Sequence, residues 1–255
     1  LLLEINEDPG TVILVHKPLG LTSFDVTYKI KRFLQRRWRK FLPEAQAKKK
    51  KVKVGHAGTL DPLATGLLIV CVGKETKNIE SYMGQDKTYT GTFVLGATTP
   101  SFDRETAIDQ KYETAHITAA AIGEAAKALA GEIEQLPPAF SAIKVEGRRA
   151  YVHARAGEEP ALKLRKVTIH TFEIVKVEGN VVHFEIKCSK GTYIRSIARD
   201  FGKILGSGAY LGSLQRTKIG EYDLKNAFTL EEIGDYFGEK VEIKEGIKIR
   251  NFGFQ

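Results

Sequence analysis

The sequence predicts an α+β protein, on three observations. Residues 87–95 alternate as a strand does, with Tyr89, Gly91, Phe93 and Leu95 on one face. Residues 167–176 and 181–187 flank Glu178-Gly179-Asn180 as the arms of a hairpin. Apolar residues recur at helical spacing through 26–41 and 194–205. These signals follow one another in irregular order, which argues against regular βαβ units. With 255 residues, 42% hydrophobic and 27% charged, the chain can bury a sizeable core and is neither a disordered tail nor a collagen-like fibre. No run approaches the roughly 18 apolar residues that cross a bilayer. The opening LLLEINEDPG lacks the basic start and apolar centre of a secretory signal, so a cytoplasmic location is expected. The chain begins at Leu1 and its only methionine is Met83, as expected of a piece trimmed from a longer reading frame.

Taken in order, residues 11–16 predict a short strand. After KPLGLTS comes a helix with Val26, Ile30, Phe33, Leu34, Trp38 and Phe41 on its core side and Lys29, Arg32, Arg36 and Lys40 on another face. Pro43 ends it, and residues 43–53, with lysines at 48–51 and 53, are expected to form a loop too like-charged to pack on itself. KVGHAGTLDPLATG is too rich in Gly and Pro for regular structure, and the apolar run 67–72 that follows predicts a buried strand. The Ala-rich residues 117–129 predict a helix closed by Gly131. QLPPAFSAIKVEGRRAYVHARAGEE breaks the regularity with paired prolines and a basic cluster, Lys144, Arg148, Arg149 and Arg155, as an insertion that touches a partner would. In the second helical stripe Ile194, Ile197, Ala198, Phe201 and Leu205 share one face, and Thr229 with Glu232 has the spacing of a capping box.

The formal charge is +8, and it is localised. Residues 29–53 hold twelve Lys or Arg against one acid, Glu44, a net +11; the remainder has 27 basic against 30 acidic residues, or −3. Such a segment is either a surface for a polyanion or a solvated helix face followed by a loop, and the pattern leaves both open. Cys71 and Cys188 have no second Cys or His at ligand spacing, so neither a disulfide framework nor a zinc site is supported. A phosphate-cradling loop needs Ser or Thr after Gly-Lys, and Gly73-Lys74 is followed by Glu75. Asp61, between Leu60 and Pro62 just before a buried strand, is either a turn former or a rigidly held nucleophile or base. His56 is either a satisfied structural side chain or a functional one; alone, it is a poor metal ligand.

Five segments in sequence order carry a resemblance: KPLGLTS at 17–23, GHAGTLDPLATGLL at 55–68, KTYTGTFVLG at 87–96, PPAFSAIKVEGRRAY at 137–151 and GTYIRSIARDFG at 191–202. Together they resemble the motif series of the TruB family of tRNA pseudouridine synthases, over about residues 10–220. The resemblance implies a mixed, mainly antiparallel sheet flanked by helices, the pseudouridine synthase catalytic fold, over residues 1–228, with an RNA-clamping thumb inserted at about 135–166. It implies isomerisation of uridine 55 in the tRNA T-loop, with tRNA as partner. No metal, nucleotide or redox cofactor, no membrane and no obligate protein partner is expected. Asp61 matches the catalytic aspartate, Tyr89 the tyrosine that packs on the target base, and Arg195 the arginine that pairs with the aspartate. His56 matches a histidine inserted into the RNA loop, and Lys17 and Pro18 a pair that supports the active-site loop. Lys87 and Tyr193 accompany these motifs, while Lys144, Arg148, Arg149 and Arg155 would grip RNA from the thumb.

The chemistry agrees with these roles. Making pseudouridine detaches the uracil, turns it and rejoins it through C5, which requires a closed pocket around a base flipped from its stack. Asp61 would attack C1′ or abstract the 2′ proton, and both routes stay open. An arginine partner favours the ionised carboxylate either route needs. Three departures stand out. The Lys-rich stretch from about Pro43 to Lys51 is extra length, Gln215 in LQRT replaces a more usual arginine, and the 27 residues after Phe228 are too few for the C-terminal PUA domain of many relatives. The catalytic body is therefore expected to grip tRNA itself, through residues 29–53. The rival readings are a guide-RNA-dependent pseudouridine synthase and a tRNA chaperone without catalysis.

Overall fold

The computed structural model describes residues 10–49, 51–239 and 241. The expectations for the first nine residues, for Lys50 and for most of the segment after residue 239 lie outside the described residues. Along the chain run β1 (Thr11–Lys17), α1 (Ser23–Phe41), α2 (Glu44–Lys49), β2 (Val54–His56), β3 (Ala64–Val72), a 3₁₀ turn (Gly73–Asn78), α3 (Ile79–Gly84) and β4 (Lys87–Leu95). Then come β5 (Ala97–Thr98), β6 (Gln110–Lys111), α4 (Ala119–Ala128), β7 (Gly131–Gln135), β8 (Lys144–Val145), β9 (Arg148–Arg149), α5 (Ala150–Arg155), β10 (Arg165–Glu178) and β11 (Val181–Cys188). Last are α6 (Ile194–Ile204), β12 (Ala209–Ile219), β13 (Tyr222–Asp223) and α7 (Leu230–Phe237). Among the described residues the chain forms two compact units, 10–87 with 215–241, and 88–214.

The first unit is organised by β3. β1 lies antiparallel along one edge, from Thr11 opposite Val72 to Lys17 opposite Gly66; β2 pairs at its far end on the other edge, and β12 adds to the sheet. Both faces of β3 are covered, which explains its unbroken apolar run. Leu68, Val70 and Val72 pack with Val26, Ile30, Phe33, Leu34 and Trp38 of α1 and with Leu230 and Ile233 of α7. The alternate residues Leu67, Ile69 and Cys71 pack with Ala57 and Ile219. α1 starts in a capping box: Thr22 Oγ1 accepts from the Asp25 amide and the Asp25 carboxylate accepts from the Thr22 amide. The Thr229 and Glu232 pair caps α7 in the same way, as its spacing predicts.

Three expectations for this unit are corrected. Phe41 does not join the core stripe; it is 68% exposed, with the Arg37 guanidinium 5.7 Å above its ring. Residues 44–49, expected as loop, form α2, because Glu44 pairs with Lys48 one turn on at 2.6 Å and Ala47 is buried. Residues 54–56, expected to be irregular, form a strand, because the edge of β3 offers them backbone partners.

In the second unit the strand order is β12, β4, β11, β10, β7. β10 and β11 form the expected hairpin, closing with Glu178 opposite Val181 and Gly179 at φ +55°. β4 buries Lys87, Tyr89, Phe93 and Leu95, and Phe93 stacks among Phe172, Phe184 and Phe201. α6 buries Ile194, Ile197, Ala198 and Phe201 as its spacing predicts. α4 is shorter than expected. Thr118 caps its start and Leu129 its end, so Gly131 opens β7 and does not cap the helix. Within 135–166, β8 and β9 make a two-residue hairpin whose central residues, Glu146 (φ +50°) and Gly147 (φ +81°), both take the left-handed conformation such a turn requires.

Candidate active site

In the first unit, Asp61 lies in the turn that leads from β2 into β3, its carbonyl accepting from the Ala64 amide (3.0 Å). The backbone on both sides of it is held. Leu60 donates its amide to Ser23 Oγ (2.8 Å) and accepts that hydroxyl at its carbonyl (3.2 Å). The Pro62 carbonyl accepts from the Gly20 amide (2.9 Å) and the Lys17 ammonium (3.5 Å). Lys17 is fully buried and also donates to the carbonyls of Leu21 (2.7 Å) and Pro18 (2.9 Å). Arg216, 1% exposed, donates through Nε to Leu67 O (2.8 Å) and through Nη2 to Gly58 O (3.0 Å). A buried cation is tolerated only when it is well paired, and backbone carbonyls serve here.

The electrostatics follow from this burial. Desolvation pushes the Lys17 amine down to about 8, with the Asp61 carboxylate opposing and Arg216 adding to the fall. His56, half-buried at the end of β2, is also held below its ordinary range, first by burial and then by Arg216, so its ring is neutral at pH 7. Its Nδ1 is buried without a hydrogen-bond partner. Gly66 is obligatory: at φ +106°, an added Cβ would lie 2.3 Å from the Arg216 carbonyl oxygen. Lys87 is buried, its ammonium closing the turn between α3 and β4 on the carbonyls of Met83 (2.7 Å) and Gln85 (2.5 Å). The first unit thus brings Lys17 and Pro18 to the Asp61 turn, and Arg216 acts on both Lys17 and His56. Arg216 and Ser23 escaped sequence reasoning, because a strand arginine ordinarily faces solvent and a helix-start serine ordinarily caps. Gln215, which drew attention, bonds Thr65 Oγ1 at 3.5 Å.

In the second unit, Tyr89 is 8% exposed on the buried face of β4. Arg195, in the first turn of α6, is 3% exposed; its Nε lies 3.6 Å from Asp103 Oδ2 and its Nη1 donates to Ser101 O (3.3 Å). The loop carrying Asp103 is itself braced. Thr99 Oγ1 donates to Asp103 O (2.7 Å), Asp103 Oδ1 accepts from the Glu105 amide (2.9 Å), and Phe102 is held at φ +60° with Arg199 5.2 Å over its ring. Asp103 was not singled out in the sequence, where TTPSFD has the composition of an ordinary loop. Tyr193 is positioned by the buried Gln135, which accepts from its amide (2.8 Å) and donates to its carbonyl (3.2 Å), while Arg165 lies 5.6 Å over its ring. Lys144, Arg148 and Arg149 are exposed on the β8–β9 hairpin; Arg155 pairs with Glu105 at 2.7 Å.

The mixed, mainly antiparallel sheet flanked by helices is the fold of the pseudouridine synthases. The chain aligns with a chain of the solved "Crystal Structure of a Cbf5-Nop10-Gar1 Complex" at TM-score 0.63 and 29% identity, covering 89% of this chain and 54% of that one. A chain of the "Structure of H/ACA RNP bound to a substrate RNA containing 2'-deoxyuridine" gives 0.62 and 26%, over 89% and 53%. The chain therefore spans about half the length of those structural neighbours. Residues 45–194 match the TruB family pseudouridylate synthase N-terminal domain, and residues 195–250 the tRNA pseudouridylate synthase B C-terminal domain. "tRNA pseudouridine synthase B" of Flavobacterium johnsoniae is 54% identical over 221 residues, 87% of this chain and 93% of that protein. The protein of the same name from Parabacteroides distasonis is 49% identical over 232 residues, 91% and 95%. This chain belongs to the TruB family of pseudouridylate synthases. Among the described residues, no helix is long and apolar enough to cross a membrane.

Proposed function

We propose that this chain is a tRNA pseudouridine synthase that isomerises uridine 55 of the T-loop in the cytoplasm, with Asp61 as its essential carboxylate and no cofactor. One observation carries the reading: the turn bearing Asp61 is fixed on both sides by the buried groups of Lys17, Ser23 and Arg216. A carboxylate on so rigid a backbone needs little reorganisation to meet its target. The N1–C1′ bond breaks, the uracil turns, C5 bonds to C1′, the C5 proton leaves and N1 takes one up. Asp61 starts this either as nucleophile at C1′ or as base for the 2′ proton. Tyr89 offers a flat face to the detached uracil, and its hydroxyl is placed in the role of moving the C5 proton. Arg195, braced by Asp103, takes the family role of partner to the catalytic carboxylate. His56 enters the RNA loop as a neutral ring, and Lys144, Arg148, Arg149 and Arg155 meet RNA phosphates.

Replacing Asp61 with Asn is expected to abolish pseudouridine formation on a T-stem-loop RNA and on full-length tRNA, with circular dichroism and melting unchanged. Full activity in that variant would overturn the assignment. The likeness to Cbf5-containing complexes makes a guide-dependent synthase the second reading. Activity on bare tRNA, without guide RNA or partner proteins, supports the stand-alone enzyme; refolding of tRNA with no isomerisation would make the protein a chaperone. Mapping pseudouridine in tRNA from cells lacking the protein identifies the position.

A further inference from the structure

The outward face of α1 has no part in the isomerisation chemistry. The inner face is filled by Val26, Ile30, Phe33, Leu34 and Trp38, and a helix of this kind ordinarily turns polar side chains outward. Phe24 and Tyr28, one turn apart, are instead 69% and 51% exposed, and their rings stack with centroids 6.3 Å apart and planes 22° from parallel. At helical spacing the same face continues into Arg32 and Arg39, flanked by Lys31, all exposed. Among the described residues no carboxylate pairs with these three cations. Asp25, the only acid on the helix, is tied into the capping box, and Arg36 is held by Glu239.

A cationic helix face alone suits any polyanion. Exposed rings in line with it add a platform on which a base can stack, and rings plus a phosphate track are the requirements of unpaired nucleic acid. The placement fits a nucleic acid as well. Ser23, beside Phe24, is bonded to Leu60, the residue before Asp61, so the platform begins at the aspartate turn. From Phe24 the face runs about 22 Å along the helix axis to Arg39.

We propose that the outer face of α1 is an additional RNA-contacting surface, on which Phe24 and Tyr28 stack against an unpaired base of the tRNA and Lys31, Arg32 and Arg39 follow its phosphates. This rests on the reading of the chain as a tRNA-modifying enzyme. The test is binding of a full-length unmodified tRNA transcript to the whole chain, by fluorescence anisotropy across a salt series. The Phe24→Ala/Tyr28→Ala pair is expected to weaken binding about tenfold with the salt slope unchanged. The Arg32→Gln/Arg39→Gln pair is expected to flatten the slope of log K against log salt by about 1.5. All four side chains are exposed, and wild-type melting temperatures exclude misfolding. Unchanged affinity and slope in both variants overturn the proposal. So does loss of self-association in sedimentation with tRNA affinity intact, which would make the face a contact between two copies. If the wild type binds tRNA yet forms no pseudouridine, the functional reading fails, while the variants' binding curves still decide the α1 surface.

Discussion

Lys17 and Arg216 are cations sealed from solvent, and each gives one of its donors to the backbone of the segment that carries Asp61. Replacing Lys17 with Met leaves the carbonyls of Pro18 and Leu21 without their donor and is expected to cost about 2–4 kcal/mol at neutral pH, read by urea unfolding. The gap should depend on pH. Unfolded, Lys17 titrates at 10.5; folded, at about 8, so between these values the unfolded chain binds the extra proton and rising pH favours the fold. This contribution is complete above about 10.5 and is lost as pH falls through about 8. Wild type should gain about 3 kcal/mol on Lys17→Met across that window, and a constant gap would show the ammonium to be solvated. For Arg216→Met the readout is His56. Burial and the Arg216 charge together hold the imidazole below its ordinary range, so removing the charge should raise its titration midpoint in a proton NMR titration. No upward movement would mean that Arg216 does not act on His56.

At the scale of elements, the close approach of β3 and β12 at Gly66 sets the geometry of the site. Gly66 stands opposite Lys17 in the β1–β3 register, and its missing side chain leaves room for the Arg216 backbone. Gly66→Ala combines a left-handed backbone with a clash against main chain, and a loss of about 3 kcal/mol is expected in thermal unfolding, with loss of pseudouridine formation. A stable, active variant would show that the two strands can part. Several principal elements were legible from the local pattern: the α1 and α6 stripes, the β10–β11 hairpin and the buried run of β3. Those that were not legible depend on neighbours. α2 forms through the Glu44 and Lys48 pair and the burial of Ala47, and β2 forms because β3 has a free edge, neither of which composition reveals. Phe41 keeps the helical period yet lies past the end of the core it would have joined.

At the scale of the whole molecule, the charge of +8 is the outcome of one segment at net +11 on a body at −3. Changing lysines 48–51 to Gln is expected to weaken tRNA binding and flatten its salt dependence by up to about 3 in the log–log slope. Unchanged affinity across the salt series would make the run a solvated surface. The sequence by itself determined the fold class, several principal helices and strands, the family and the identity of Asp61, Tyr89 and Arg195 as candidates, because hydrophobic period and short motifs are local properties of the chain. Only the tertiary structure decided what holds them: Arg216 reaches Gly58 from 158 residues away, Asp103 braces Arg195 from 92 residues before it, and Gln135 positions Tyr193 across 58. A buried polar group is stabilised by whichever partner the fold brings within about 3 Å, and that partner is set by packing of distant segments, not by the residues next to it in sequence.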